Sequence, residues 1–129
     1  SGNPLAMAAG LAMLKTIESD TDLFDRLAAK TEYLHKGCAT ALTEANIIHS
    51  INRVGSMMSI HFSEEPVVDF KSAATGNNSN FKTFFHGLLE RGIYLPPSAF
   101  ESWFLNDGLS YEDCDETIAA VKEVAKKLK

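Results

Sequence analysis

Apolar residues recur along this chain with two different periods, and each change of period marks the start of a new element. Residues 5 to about 18 are rich in Ala, Leu and Met and carry few charges. These are strong helix formers, and the lack of a polar face predicts a helix covered by protein on more than one side. Asn3 is a good N-cap, and Pro4 falls at N1, where its missing N–H costs nothing. Ser19-Asp20-Thr21 breaks and recaps the chain. From there to about residue 45, Leu23, Leu27, Leu34, Cys38, Ala41 and Ala45 recur mostly three or four apart, which makes one buried helical stripe. Asp25, Arg26, Lys30, Glu32, Lys36 and Glu44 are assigned to the opposite, solvated face.

Beyond Ile47 the period shortens. Residues 47–51 and 57–62 read as strands joined by residues 52–55, with Met58, Ile60 and Phe62 forming one apolar face. Val67, Val68 and Phe70 predict a short extended segment. Asn78 or Ser79 then caps a helix whose stripe is Phe81, Phe84, Phe85, Leu88 and Leu89, and Gly92 ends it in the left-handed position. Residues 93–95 read as a strand that runs into Pro96-Pro97, and Trp103-Phe104 as a shorter one. Ser110 caps the last helix, with Asp113 completing a capping box and Cys114, Ile118, Val121, Ala125 and Leu128 facing inward. Helix, helix, strand, strand, helix, strand, short strand, helix is an α+β order. It predicts a two-layer domain, a small and mostly antiparallel sheet with helices packed on one face.

The length of 129 residues fits one domain, residues 1–129. A net charge of −5 excludes a general nucleic-acid surface. No apolar run reaches the roughly 18–20 residues of a membrane span, and no signal-peptide pattern opens the chain. Cys38 and Cys114 fit no metal or redox spacing and read as reduced, partly buried thiols of a cytoplasmic protein. The abrupt start in a helix suggests a piece of something larger. Lys126, Lys127 and Lys129 crowd a helix end, where cations complement the dipole.

Catalytic motifs are missing: no P-loop, G-x-S-x-G, G-x-G-x-x-G, H-E-x-x-H or C-x-x-C occurs. His49 and His61 are strand histidines without partners at metal spacing, and His35 with Cys38 is a weak pair. The stretch that stands out is residues 93–104. Two consecutive prolines force the chain out of helical geometry, and Glu101 sits between Phe100 and Trp103 on the corner that follows. A solvated loop glutamate is the default for such a residue. A rigid corner holding a carboxylate beside aromatic surface is also where a functional group is placed well.

The segment from Ser1 to Gly10, Ser-Gly-Asn-Pro-Leu-Ala-Met-Ala-Ala-Gly, resembles the S-G-N-P-x-A-M-A-A-G segment of class III pyridoxal-phosphate aminotransferases. Phe84-Phe85-His86, Gly92-Ile93-Tyr94-Leu95, Pro97-Ser98-Ala99-Phe100-Glu101 and the pattern from Ser110 to Ile118 are similar to the F-F-H, G-V-Y-L-A-P, P-S-x-F-E and closing S-x-E-D-x-x-x-T-I of the glutamate-1-semialdehyde 2,1-aminomutase family. The resemblance implies the C-terminal small domain of a fold type I enzyme, with residues 1–18 as the connecting helix from a large domain of the same chain. It implies a cytoplasmic homodimer using pyridoxal phosphate to make 5-aminolevulinate for tetrapyrrole (porphyrin) synthesis, with no nucleic-acid or membrane partner. Glu101 carries over as the residue near substrate, and Ser98 as a loop-shaping residue that could also touch it.

In the family, the Schiff-base lysine and a Gly-Thr phosphate pair lie ahead of the S-G-N-P motif, which places both upstream of Ser1. No pyridoxal phosphate is therefore expected on this chain alone, and no activity. Ser102-Trp103-Phe104 and Gly108-Leu109 depart from the family's A-G-F and A-H, which alters the local pocket without touching Glu101. Two other readings stay open. One is the small domain of another class III aminotransferase, which would use a second amino donor. The other is an independent ligand-binding α+β module, which would not leave the helix of residues 5–17 bare as a separated domain would.

Overall fold

The computed structural model describes residues 2–129; Ser1, which opens the S-G-N-P motif, lies outside the described residues. Helix α1 spans Pro4–Ser19, with Asn3 capping it by accepting from the Leu5 N–H at 2.9 Å. Helix α2 spans Leu23–Glu44. Strands β1 (Ser50–Val54) and β2 (Met57–His61) follow, then the one-turn helix α3 (Phe70–Ala73), helix α4 (Asn78–Leu89), strand β3 (Trp103–Phe104) and helix α5 (Tyr111–Ala125). The sheet is antiparallel throughout, in the order β1-β2-β3. With α2, α4 and α5 against one face, this is the two-layer α+β domain read from the sequence.

The core forms where the inward faces meet. Met58, Ile60 and Trp103 from the sheet pack with Leu34, Cys38 and Leu42 of α2, Phe84 and Leu88 of α4, and Val121 and Val124 of α5. Phe84 is the hub, nearly parallel to Trp103 and edge-on to Phe62. Gly37 and Gly87 let α5 approach α2 and α4: a Cβ on Gly37 would run into the end of Ile118, and one on Gly87 would lie 2.8 Å from Val124.

Some local expectations are corrected. The first strand starts at Ser50, not Ile47, because Asn46 turns left-handed (φ 57°) and the Ile47 N–H bonds back to Leu42, so Ile47 closes the end of α2. Pairing then runs to Val54, and Gly55-Ser56 alone makes the hairpin turn. Phe70 begins a helical turn because Asp69 and Ser72 form a capping box. Asn77, not Asn78 or Ser79, caps α4, accepting from the Asn80 N–H at 3.0 Å. Residues 93–95 join no ladder among the described residues.

Two charged side chains fasten the helices to the turn before α5. Arg26 pairs with Asp20, just beyond α1, at 2.8 Å and with Asp107 at 2.9 Å. Lys30, assigned above to the solvated face, is buried, and its ammonium donates to the Asp107 and Leu109 carbonyls.

Candidate functional site

The corner predicted to carry function is held at both ends. Helix α4 is terminated by Gly92, whose φ of 82° suits glycine alone, while the Ile93 N–H bonds back to the Leu88 carbonyl at 3.0 Å. The chain leaves extended, drops Leu95 into the core, and stiffens through Pro96-Pro97. Ser98 then shapes a tight turn: its Oγ accepts from the Phe100 N–H at 3.2 Å, and its carbonyl from the Glu101 N–H at 3.1 Å. Two residues later Trp103 is buried and pairs with Met58, and the Leu105 N–H donates to Ser56 at 3.0 Å. Phe100, half-exposed, leans on Phe70 with ring centres 5.3 Å apart.

This places Glu101 exposed, on the rim of a groove of about 680 Å³. Leu95, Trp103, Leu105 and Leu109 give the groove an apolar floor, and Tyr94 and Pro96 form part of its wall. Asp113 and Glu116 at the start of α5 are the other carboxylates that line it, and no lysine or arginine does. Asp113 is already engaged. It accepts from the Ser110 N–H and Oγ at 2.7 and 2.8 Å, and these bonds hold its carboxyl below the usual range. The Glu101 carboxylate has no hydrogen bond or ion pair among the described residues, so its full accepting capacity faces outward.

Ser98 and Glu101 are thus brought into one turn, in which Ser98 bonds the backbone and the Glu101 carboxylate bonds nothing among the described residues. Leu27, Lys30 and Leu34 are spaced three and four apart, so Lys30 lies within the apolar stripe of α2; that spacing was the signal for its burial. The other candidates stay apart. His49 Nδ1 faces the Ile47 carbonyl at 2.8 Å, and His61 Nε2 faces Ser59 Oγ at 3.0 Å. Burial pushes the His61 pKa down. Cys38 and Cys114 are buried, and burial pushes the Cys38 thiol up to about 12. Among the described residues no three metal-ligating side chains converge, and no helix is long and apolar enough to cross a membrane.

Pyridoxal phosphate needs a desolvated lysine and a phosphate cradle. Lys30 is the buried lysine among the described residues, and its ammonium is taken up by two loop carbonyls. These residues do not fit the cofactor.

The family model Aminotransferase class-III matches residues 1–124. The glutamate-1-semialdehyde 2,1-aminomutase of Flavobacterium psychrophilum is 59% identical over 128 residues, which is 99% of this chain and 30% of that protein. A counterpart in Thermus thermophilus is 46% identical over 95% of this chain and 29% of its own length. An omega-transaminase structure from Sphaerobacter thermophilus shares the fold, with a TM-score of 0.79 over 97% of this chain and 28% of its own, at 23% identity. The chain spans about 30% of the length of the relatives it matches. It belongs to the class-III aminotransferase family.

Proposed function

We propose that this chain is the C-terminal small domain of a glutamate-1-semialdehyde 2,1-aminomutase, and that Glu101 is the residue it supplies to the active site. The parent is then a cytoplasmic homodimer in which pyridoxal phosphate, held by the large domain, supplies the amino-transfer chemistry. The amino group moves between adjacent carbons of one substrate, turning glutamate-1-semialdehyde into its isomer 5-aminolevulinate. The observation that carries this reading is the likeness to aminomutases along 99% of the chain, joined to a carboxylate left unpaired on a stiff corner. Glu101 acts there as an acceptor for cationic or N–H and O–H groups in a closed site, and Ser98 fixes the turn that aims it. The large domain covers the apolar surface of α1.

The test uses the full-length protein and substrate alone, with no second amino donor. Glu101→Gln lowers kcat/KM for 5-aminolevulinate formation about 10- to 100-fold, the loss of one charged hydrogen bond. An unchanged rate removes Glu101 from the site. Turnover that requires a second donor replaces the aminomutase by an intermolecular aminotransferase.

A further inference from the structure

The corner that carries Glu101 is fixed at its ends by the burial of Leu95 and Trp103. Between them, among the described residues, its hydrogen bonds run from the Phe100 and Glu101 N–H groups to Ser98. Both lie inside the turn, so they set its shape but not its place. Placement has to come from packing, and α3 supplies it. Ala73 of α3 and Ala99 of the corner line one crevice of about 10 Å³, too narrow for a ligand and so a packed seam. The next residue of the corner, Phe100, meets Phe70, the first residue of α3, with ring centres 5.3 Å apart and planes tilted by 32°. Aromatic rings attract at this separation. The turn that presents Phe70 is itself firmly mounted. The Asp69 N–H donates to Ser72 Oγ at 3.0 Å, and Asp69 Oδ1 accepts from the Ser72 N–H at 2.7 Å. Before it, the Val67 carbonyl accepts from Asn52 Nδ2 of β1 at 2.7 Å; after it, the Asn77 N–H donates to the Phe62 carbonyl at 2.9 Å. Phe70 stays 74% exposed, so it contributes little to the core.

We propose that Phe70 is a positioning residue for Glu101, acting through the Phe100 ring. This rests on the reading of Glu101 as the residue that the chain supplies to the active site. Phe100 directly precedes Glu101, so a shift of its ring carries the Glu101 backbone with it. The two prolines stiffen the entry to the corner, and Phe70 limits the swing that remains. Without a ring at position 70 the carboxylate samples more positions. A charged group misplaced by about an ångström loses much of its effect on a reacting substrate.

Turnover of glutamate-1-semialdehyde by the full-length protein is compared for Phe70→Ala, Glu101→Gln and the two combined. Phe70→Ala lowers kcat/KM about 3- to 10-fold, whereas Phe70→Tyr, which keeps the ring, stays within about twofold of the parent protein. In the Glu101→Gln background Phe70→Ala costs less than about twofold, because the group it positions has already lost its charge. An equal loss in both backgrounds overturns the proposal and leaves Phe70 a merely structural residue; a variant that folds poorly gives this result. An unchanged rate for Phe70→Ala overturns it too, as does a Phe70→Tyr protein as slow as Phe70→Ala. These results leave Glu101 in the site as long as Glu101→Gln itself is slow. A silent Glu101→Gln removes the proposed role of Glu101, and the role of Phe70 falls with it.

Discussion

Single side chains are where charge and burial disagree most usefully. Burial disfavours the His61 cation, so its folded pKa lies below the reference 6.5. Between those two values the unfolded chain binds more protons, and stability rises with pH until it levels above 6.5. Urea midpoints measured across that window show the climb, and His61→Asn flattens it. A wild-type midpoint that stays flat shows that His61 titrates alike in both states. Glu101 was legible as a candidate because two prolines and flanking aromatics frame it. Its lack of partners was not legible, since partner choice is decided by residues far off in sequence. Lys30 shows the opposite failure. Its charge suggested water, yet its place in the Leu27–Leu34 stripe put it inside, against the Asp107 and Leu109 carbonyls.

At the scale of elements, the helices were readable because their stripes are long and their caps are chemically distinctive, as with Ser110 and Asp113. The first strand was misplaced because Ile47 is apolar whether it ends a helix or begins a sheet. Left-handed Asn46 decides between the two, and nothing in apolar periodicity reports it. The helical glycines explain themselves only in three dimensions. Gly87 faces the methyls of Val124, a stiff β-branched side chain, at 2.8 and 2.9 Å from an added Cβ. Gly87→Ala therefore destabilises by about 1–3 kcal/mol through overpacking. Gly37 faces Ile118, also β-branched, whose Cγ1 would lie 2.5 Å from an added Cβ with Cδ1 closer still, so swinging the chain end alone does not clear the contact. Gly37→Ala is likewise destabilising by about 1–3 kcal/mol. Chemical denaturation of both variants checks this, and near-neutral effects would show that α5 yields as a body at either contact.

The whole molecule is unequal in how it treats its helices. α2, α4 and α5 enclose the core, whereas α1 buries none of its residues among those described, and Leu5 is 78% exposed. The charge-poor composition predicts a helix covered on more than one side, yet among the described residues nothing covers it. In isolation the chain binds an apolar-surface dye and sediments as associated species. Leu5→Glu with Leu11→Glu reduces both, because the core packing is left untouched. If the double variant binds as much dye as the parent chain, the exposed surface lies elsewhere.

Arg26 gives α1 a mechanical character. The helix is a cantilever whose root is gripped by one guanidinium between Asp20 and Asp107, all three partly open to solvent. Ions at about 0.15 M screen charges beyond roughly 8 Å and weaken exposed pairs at closer range. The stiffness of this joint thus varies with ionic strength while the core beneath it does not. Because the same guanidinium holds the turn leading to α5, this joint links the root of α1 to the element whose first turns line the Glu101 groove.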